Sequence, residues 1–265
     1  MRLKNLDFKI GIFIIAIIIG LVIIGVFYTP YNNTEMHALD KYAKPFTTYI
    51  LGTDSKGRDV LSRIMVGGRY TLIISVSTII ISTVIGSTIG LICGYKGGLL
   101  DEVIMRLTDT IASFPGILIG LILVTVLNGN FYTIILALSI IFTPSFIRIV
   151  RIGTLQYKES EFVYNVRVFG ASEFRILFVH ILPNLLPALL SSVVVGLSNA
   201  ILAESGMSYL GLGIQPPTPS WGKMLFEAQS SLLFAPWGAI IPGLAIMLTV
   251  IGFNCIGEGL RKKYC

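Results

Sequence analysis

The chain has 265 residues, of which 54% are hydrophobic and only 13% are charged, and its mean hydropathy is +0.82. Soluble domains carry about a quarter charged residues, so this composition excludes a soluble globule and indicates a membrane protein. The net charge of +6 does not indicate nucleic-acid binding, because the basic residues stand between long apolar runs and do not cluster with groove-reading elements.

Six apolar segments are long enough for a helix that crosses the hydrocarbon core, which takes about 20 residues. The first, 10–27, is longer than the apolar part of a typical signal peptide and no small-residue cleavage site follows it, so we predict a retained span. The other predicted spans are 70–95, 110–127, 131–150, 181–203 and 237–257. Asn128-Gly129-Asn130 predicts a tight hairpin between the third and fourth spans.

The basic residues are distributed unequally between the two sides of this arrangement. With a cytoplasmic N-terminus, thirteen of the 20 Lys and Arg residues fall on the cytoplasmic side and seven on the other, which predicts that both termini are cytoplasmic. The predicted division is a first span with its N-terminal tail (1–28), an extracytoplasmic loop (29–69), a five-helix core (70–257) with a cytoplasmic loop (151–184), and a cytoplasmic C-terminus (258–265).

Small residues and prolines inside the spans predict how the helices pack. Gly86, Gly90 and Gly94 recur every fourth residue, as do Gly116 and Gly120, so each set shares one helix face on which a neighbouring helix can approach closely. Kinks are predicted at three prolines within or beside spans: Pro115, Pro187 and Pro242.

The cytoplasmic loop has a helical pattern of its own. Phe162, Val166 and Phe169 recur at i, i+4 and i+7, with Val163 beside them, which predicts a short helix with an apolar stripe. Such a helix is marginal in water unless a surface covers the stripe. The pattern leaves two interpretations open: the stripe packs back on the bundle, or it docks into a groove of a cytosolic partner.

The end of this short helix is also predicted from local residues. Gly170 stands where a left-handed helix cap would be placed, and Ser172 is suited to cap a second helix that would run to Pro183 at the membrane.

Charged residues near the predicted outer surface allow two interpretations. Asp54, Arg58 and Asp59 form either a binding site or an ion-pair network that ties the loop to the bundle, and we favour the network. Glu204, at the outer end of the fifth span, fits a gate residue or an interfacial anchor.

The sequence offers no chemistry of its own for catalysis or energy supply. It has no phosphate-binding loop, and Cys93, Cys255 and Cys265 lack metal-ligand or redox spacing, so we predict no catalytic residue, cofactor or metal. A membrane-embedded enzyme would need convergent acid, base or nucleophilic groups. An ion-coupled secondary transporter usually keeps ionisable residues deep in its spans, where we expect none; it remains the alternative function.

Several motifs in the chain match those of a known transporter family. Gly170-Ala171-Ser172 followed by Ile181-Leu182-Pro183 resembles the coupling segment of ABC importer permeases, although Tyr164-Asn165-Val166 stands where that family has Glu-Ala-Ala. Motifs typical of the peptide/nickel branch cover about 50–265: Leu51-Gly52-Thr53-Asp54, Gly57-Arg58-Asp59, Ser62-Arg63, Gly94-Tyr95, Ser113-Phe114-Pro115, Glu161-Phe162-Val163 with Arg167, Ser208-Tyr209-Leu210-Gly211-Leu212-Gly213 and Trp221-Gly222.

The resemblance implies an all-α, type I ABC importer transmembrane domain with six spans, the second permease of a pair. It implies an extracytoplasmic solute-binding protein, a homologous second permease in the same bilayer, and two ABC ATPase subunits that supply the energy. The solutes would be peptides, nickel or metal chelates. The ATPase-coupling residues implied are Phe162, Val163, Tyr164, Asn165, Val166, Arg167, Phe169, Gly170, Ala171 and Pro183. The outer-loop motif comprises Asp54, Gly57, Arg58, Asp59 and Arg63.

Overall fold

The computed structural model describes residues 4–127 and 129–264 of the chain. Residues 1–3, Asn128 and Cys265, which enter the predictions above, lie outside this part. Within it, the regular elements are helices apart from one isolated bridge between Thr53 and Asp59, so the predicted all-α class is confirmed.

In chain order the helices are α1 (Lys4–Phe27), α2 (Val60–Lys96), α3 (Gly98–Ser113), α4 (Gly116–Val126), α5 (Phe131–Lys158), α6 (Glu161–Val168), α7 (Glu173–Tyr209), α8 (Trp221–Ala228) and α9 (Trp237–Tyr264). Among the described residues, α1, α2, α5, α7 and α9 are each long and apolar enough to cross a membrane. They correspond to five of the six predicted spans.

The remaining predicted span, 110–127, is a broken pair of helices. α3 and α4 meet at an angle of 90°, and together they pass the length and hydropathy test for a sixth span. Pro115 explains the break, because the residue before a proline is disfavoured in the α conformation, and Phe114 is extended (φ −92°, ψ 145°). The prediction of one helix beginning at 110 is therefore wrong.

The glycine ridge of α2 contacts α5, as predicted. A Cβ atom added at Gly86, Gly90 or Gly94 would stand 2.5 to 2.7 Å from atoms of α5, so only glycine allows this approach. Gly116 and Gly120 also lie at helix contacts, against Ile141 of α5 and Met207 of α7 respectively. Close backbone packing of this kind holds helices together in lipid, where no hydrophobic drive acts between them.

Two predicted loop boundaries need correction. α2 begins at Val60, so the 29–69 loop ends about ten residues earlier than predicted and Arg63 lies in a helix. α5 extends to Lys158 and α7 begins at Glu173, which shortens the 151–184 loop. Helices α2, α5 and α7 continue beyond the apolar runs because capping residues and tertiary contacts stabilise their ends. A hydropathy pattern does not report these contacts.

Helix α7 passes through Pro183 without ending there, contrary to the prediction. Ser172 does cap it, accepting a hydrogen bond from the N–H of Arg175 at 3.4 Å. A π-helical stretch, Ile176–Ile181, ends two residues before the proline. Since a π turn already interrupts the α-helical hydrogen-bond ladder, the missing N–H of Pro183 is accommodated there. Pro187 and Pro242 likewise lie inside continuous helices.

Candidate functional site

The short helix α6 lies at the end of the bundle where α2 ends and α7 begins, which we call the α6 side. It ends in a Schellman motif: the N–H of Gly170 donates to the Arg167 carbonyl at 3.0 Å, and the N–H of Ala171 donates to the Val166 carbonyl at 3.3 Å. Gly170 has φ +79°, which confirms the predicted left-handed cap. This motif turns the chain from α6 into α7 through Ser172.

One face of α6 packs on the transmembrane bundle. Val163 is fully buried in a core cluster with Ile176 and Ile181 of α7, and Phe162 and Val166 pack against the same cluster. The prediction of one stripe formed by Phe162, Val166 and Phe169 is therefore wrong. Phe169 lies apart from the other two, because the helix ends at Val168 and the chain turns away at the cap.

The opposite face of α6 is exposed and apolar. Phe169 is 89% exposed, Val168 66% and Tyr164 65%, and Phe174 at the start of α7 is 69% exposed. We call these four residues the α6 outer face. The two interpretations of the stripe thus describe two faces of one short helix: one covered by the bundle, the other uncovered in this chain.

The remaining predicted coupling residues occupy different positions around this face. The Arg167 guanidinium lies 5.6 Å from the ring centroid of Tyr95, and its Nη2 donates to the Tyr95 hydroxyl at 3.3 Å, which ties α6 to the end of α2. Asn165 is exposed beside the outer face, whereas Pro183 lies farther along α7.

At the opposite end of the bundle, which we call the α8 side, four charged side chains form one network. The Arg58 guanidinium donates to Asp54 at 2.7 Å and to Glu227 of α8 at 2.6 Å. Arg63 donates to the same Glu227 oxygen at 2.7 Å and lies 3.3 Å from Asp54. All four side chains are at least 85% buried, so the network joins the 28–59 loop, α2 and α8.

The other two residues of the outer-loop motif shape the backbone. Asp59 caps α2, accepting from the backbone N–H of Ser62 at 2.8 Å and from its hydroxyl at 2.6 Å. Gly57 has φ +75° and its Cα lies so close to the His37 carbonyl that no side chain fits. The adjacent cavity has about 10 Å³, room for about one water molecule, so the motif is a brace rather than a solute site.

Glu204 is fully buried near the α8 end of α7, so it is not an interfacial anchor. Its carboxylate accepts hydrogen bonds from Ser208 at 2.7 Å and Ser205 at 3.4 Å, and Ser220 links Ser208 to the start of α8. Glu204 and Arg63 both lie near the α8-side ends of their helices, so neither contradicts the expectation of no ionisable residue deep within a span.

A groove of about 550 Å³ opens between α5, α7 and α9. Each helix contributes residues spaced i, i+3, i+4 and i+7: Phe142, Ser145, Phe146 and Ile149 from α5; Ser192, Val195, Gly196 and Asn199 from α7; Asn254, Gly257, Glu258 and Arg261 from α9. We call it the polar groove. An asparagine that faces lipid is unfavourable, so Asn199 and Asn254 within apolar segments are the signal in the sequence that predicts such a groove.

A second groove of similar size, about 560 Å³, lies between α2, α3 and α5 and is lined mostly by isoleucine and leucine. The hydroxyls of Thr108 and Thr143 there are bonded to carbonyls of their own helices at 2.8 and 2.7 Å. We call it the apolar groove, and its chemistry suits contact with lipid.

Comparison with known proteins assigns the family. Residues 86–264, which contain α6 and the polar groove, match the model of the binding-protein-dependent transport system inner membrane component. The chain belongs to this family. It is a multi-pass membrane permease component of an ABC importer, which decides against the ion-coupled alternative.

Individual relatives cover nearly the whole chain. The glutathione transport system permease protein GsiD of Pectobacterium atrosepticum is 37% identical over 95% of this chain and 83% of its own length. The dipeptide transport system permease proteins DppC of Haemophilus influenzae and Alkalihalophilus pseudofirmus are each 36% identical over 97% of this chain and 90% and 85% of theirs. The similarity therefore includes the whole α8-side brace, of which Asp54, Arg58 and Arg63 precede the range of the family model.

Proposed function

We propose that this permease carries peptides across the membrane, driven by two ATPase subunits that dock on the α6 side. Three similar proteins are named for dipeptide or glutathione transport, which favours peptides over nickel or metal chelates. A homologous second permease completes the pathway, and an extracytoplasmic binding protein delivers the solute on the α8 side.

The observation that carries this proposal is the two-faced packing of α6. Its inner face is fixed to the bundle through the buried Val163, and its outer face leaves Tyr164, Val168 and Phe169 uncovered. Exposed aromatic and aliphatic side chains on a short helix suit a helix-in-groove contact with a soluble partner. The chain has no phosphate-binding loop, so that partner is the source of the energy.

The same packing explains how force reaches the spans. The cluster that holds Val163 contains residues of α2, α5 and α7, including Leu91 and Phe146. A displacement of α6 by closure of the ATPases would therefore move three membrane helices together. The binding energy of nucleotide is thereby converted into population of one access state.

The basic residues support the orientation. The α6 side carries Arg148, Arg151, Lys158 and the Arg261–Lys263 run, and an excess of Lys and Arg marks cytoplasmic ends. The α6 side would then be cytoplasmic, with both termini, and the α8 side would face the binding protein.

Growth and uptake in a strain that lacks this chain test the solute assignment. We expect uptake of di- and tripeptides to be lost and nickel uptake to be retained, and a plasmid copy of the chain to restore peptide uptake to normal. Loss of nickel uptake with normal peptide uptake would contradict the proposal.

A further inference from the structure

We propose that the polar groove is the solute path of this chain, and that Asn199 and Asn254 exchange hydrogen bonds with the backbone amides of a passing peptide. This inference rests on the proposed function and adds the residues and the chemistry of recognition.

The first observation is that the side-chain amides of Asn199 and Asn254 are exposed and form no hydrogen bond within the described residues. The neighbouring Ser191 and Ser192 hydroxyls, by contrast, are bonded to carbonyls of α7 at 3.1 and 3.0 Å. A primary amide turned toward lipid loses its hydrogen bonds with water, which is strongly unfavourable. These amides therefore face water, solute or protein.

The second observation is the position of the amides along the membrane. α7 and α9 run antiparallel, with the Ser198 hydroxyl bonded to the Val250 carbonyl at 3.3 Å. Asn254 therefore lies about five residue rises, roughly 7.5 Å, nearer the α6 side than Asn199. An extended peptide presents equivalent backbone groups every second residue, about 7 Å apart, so the two spacings are comparable.

The third observation is the charge of the groove. An asparagine amide both donates and accepts hydrogen bonds, as a peptide group does, and it carries no charge that would select among side chains. The carboxylate of Glu258 at the α6 end lies 3.2 Å from Lys262 Nζ and 3.9 Å from Arg261 Nη2, so it is paired. Neutral amides in a partly apolar groove suit peptides of varied sequence.

The apolar groove provides a comparison within the same molecule. Ile140 lies in the apolar groove, which is lined mostly by aliphatic side chains, and the hydroxyls of Thr108, Ser139 and Thr143 there are bonded to backbone carbonyls. The two grooves have similar volumes but different chemistry. Of the two grooves, only the polar groove is lined by asparagine amides without a hydrogen-bond partner among the described residues.

The test uses the complete importer, with its partner subunits, in proteoliposomes. The Asn199→Leu/Asn254→Leu double variant removes two hydrogen-bonding groups and is expected to lower dipeptide uptake by about tenfold. ATP hydrolysis stimulated by loaded binding protein should change less than about twofold, because α6 is untouched. Thr143→Ala, in the apolar groove and with a hydroxyl bonded to a carbonyl of its own helix, should leave uptake unchanged.

The possible results separate the inference from the proposed function. Unchanged uptake in the double variant overturns the inference, as does loss of the second permease on purification, which would make the groove a subunit contact. A wild-type complex that hydrolyses ATP without responding to loaded binding protein contradicts the proposed function instead.

Thiol labelling tests the groove without relying on transport. In a background without native cysteines, Asn254→Cys should react with a small hydrophilic maleimide, and Ile140→Cys in the apolar groove should not. Labelling of Ile140→Cys alone, or of neither residue, overturns the inference.

Discussion

Arg58 and Glu227, 169 positions apart in the sequence, form a buried ion pair with an Nη2–Oε2 distance of 2.6 Å. Glu227 also accepts from Arg63, so its loss would leave two buried guanidinium groups with one carboxylate between them. Removing one partner of a buried pair costs about 3–5 kcal/mol, and we expect Glu227→Ala to lower the free energy of unfolding by that amount.

Denaturant unfolding of the detergent-solubilised chain measures this change. The control is Glu102→Ala, which removes an exposed i, i+4 pair with Arg106 and should cost about 0.3–0.5 kcal/mol. Equal effects of the two substitutions would contradict the assignment of the brace.

The α6 outer face should bind the ATPase. Phe169→Asp places a charge where a partner would bury it but leaves the chain's own core intact, so the ATPase should be lost on purification while the second permease is retained. Val163→Asp, on the inner face, should instead destabilise the permease itself. Subunit stoichiometry after detergent extraction distinguishes the two, and retention of both ATPases by Phe169→Asp would disprove docking on this face.

Gly170→Leu should lower solute-stimulated ATP hydrolysis with normal amounts of protein in the membrane. A non-glycine residue at a positive φ costs about 1–2 kcal/mol, and the strain would redirect α6. Gly98→Leu is the matched control, because Gly98 also has positive φ (+62°) and, like Gly170, open space around its Cα. Equal ATPase stimulation in the two variants would show that the cap does not position the docking helix.

Gly90→Ala should destabilise the contact between α2 and α5. The added Cβ would stand 2.6 Å from the Ile147 carbonyl oxygen, and overpacking of this kind costs about 1–3 kcal/mol. Gly20→Ala in α1, where nothing lies within 4 Å, should be neutral or stabilising. Thermal inactivation of the two variants gives the comparison, and equal midpoints would contradict the packing.

Topology can be tested with an impermeant thiol reagent on intact cells. Lys56→Cys in the loop on the α8 side should be labelled from outside, and Asn165→Cys on α6 only after the membrane is opened. Both positions are exposed, so lack of access cannot explain a difference. The reverse pattern would overturn the orientation.

Local sequence patterns predicted the features that depend on neighbouring residues. Apolar length predicted the spans, because a backbone in lipid must satisfy its hydrogen bonds within a helix. The left-handed conformation of Gly170 and the capping role of Ser172 follow equally from local chemistry.

Features that depend on distant contacts were not predicted. The period of α6 predicted an apolar stripe but not that Phe162 and Val166 face the bundle, since the covering residues come from α2, α5 and α7. The residues around Glu227 do not predict its ion pairs, because Arg58 and Arg63 are more than 160 positions away in the sequence. A kink was predicted at Pro115, but the 90° angle between α3 and α4 was not.

The free amides of the polar groove also bear on how the importer is built. A newly inserted copy of this chain, before it meets its partner, would hold Asn199 and Asn254 against lipid with no protein group to satisfy them. That unfavourable state ends when the second permease arrives and the groove fills with water. Assembly would thus be favoured because it removes the contact between these amides and lipid. The relative rates of synthesis of the two permeases would then set how many unpaired copies remain for proteases to degrade.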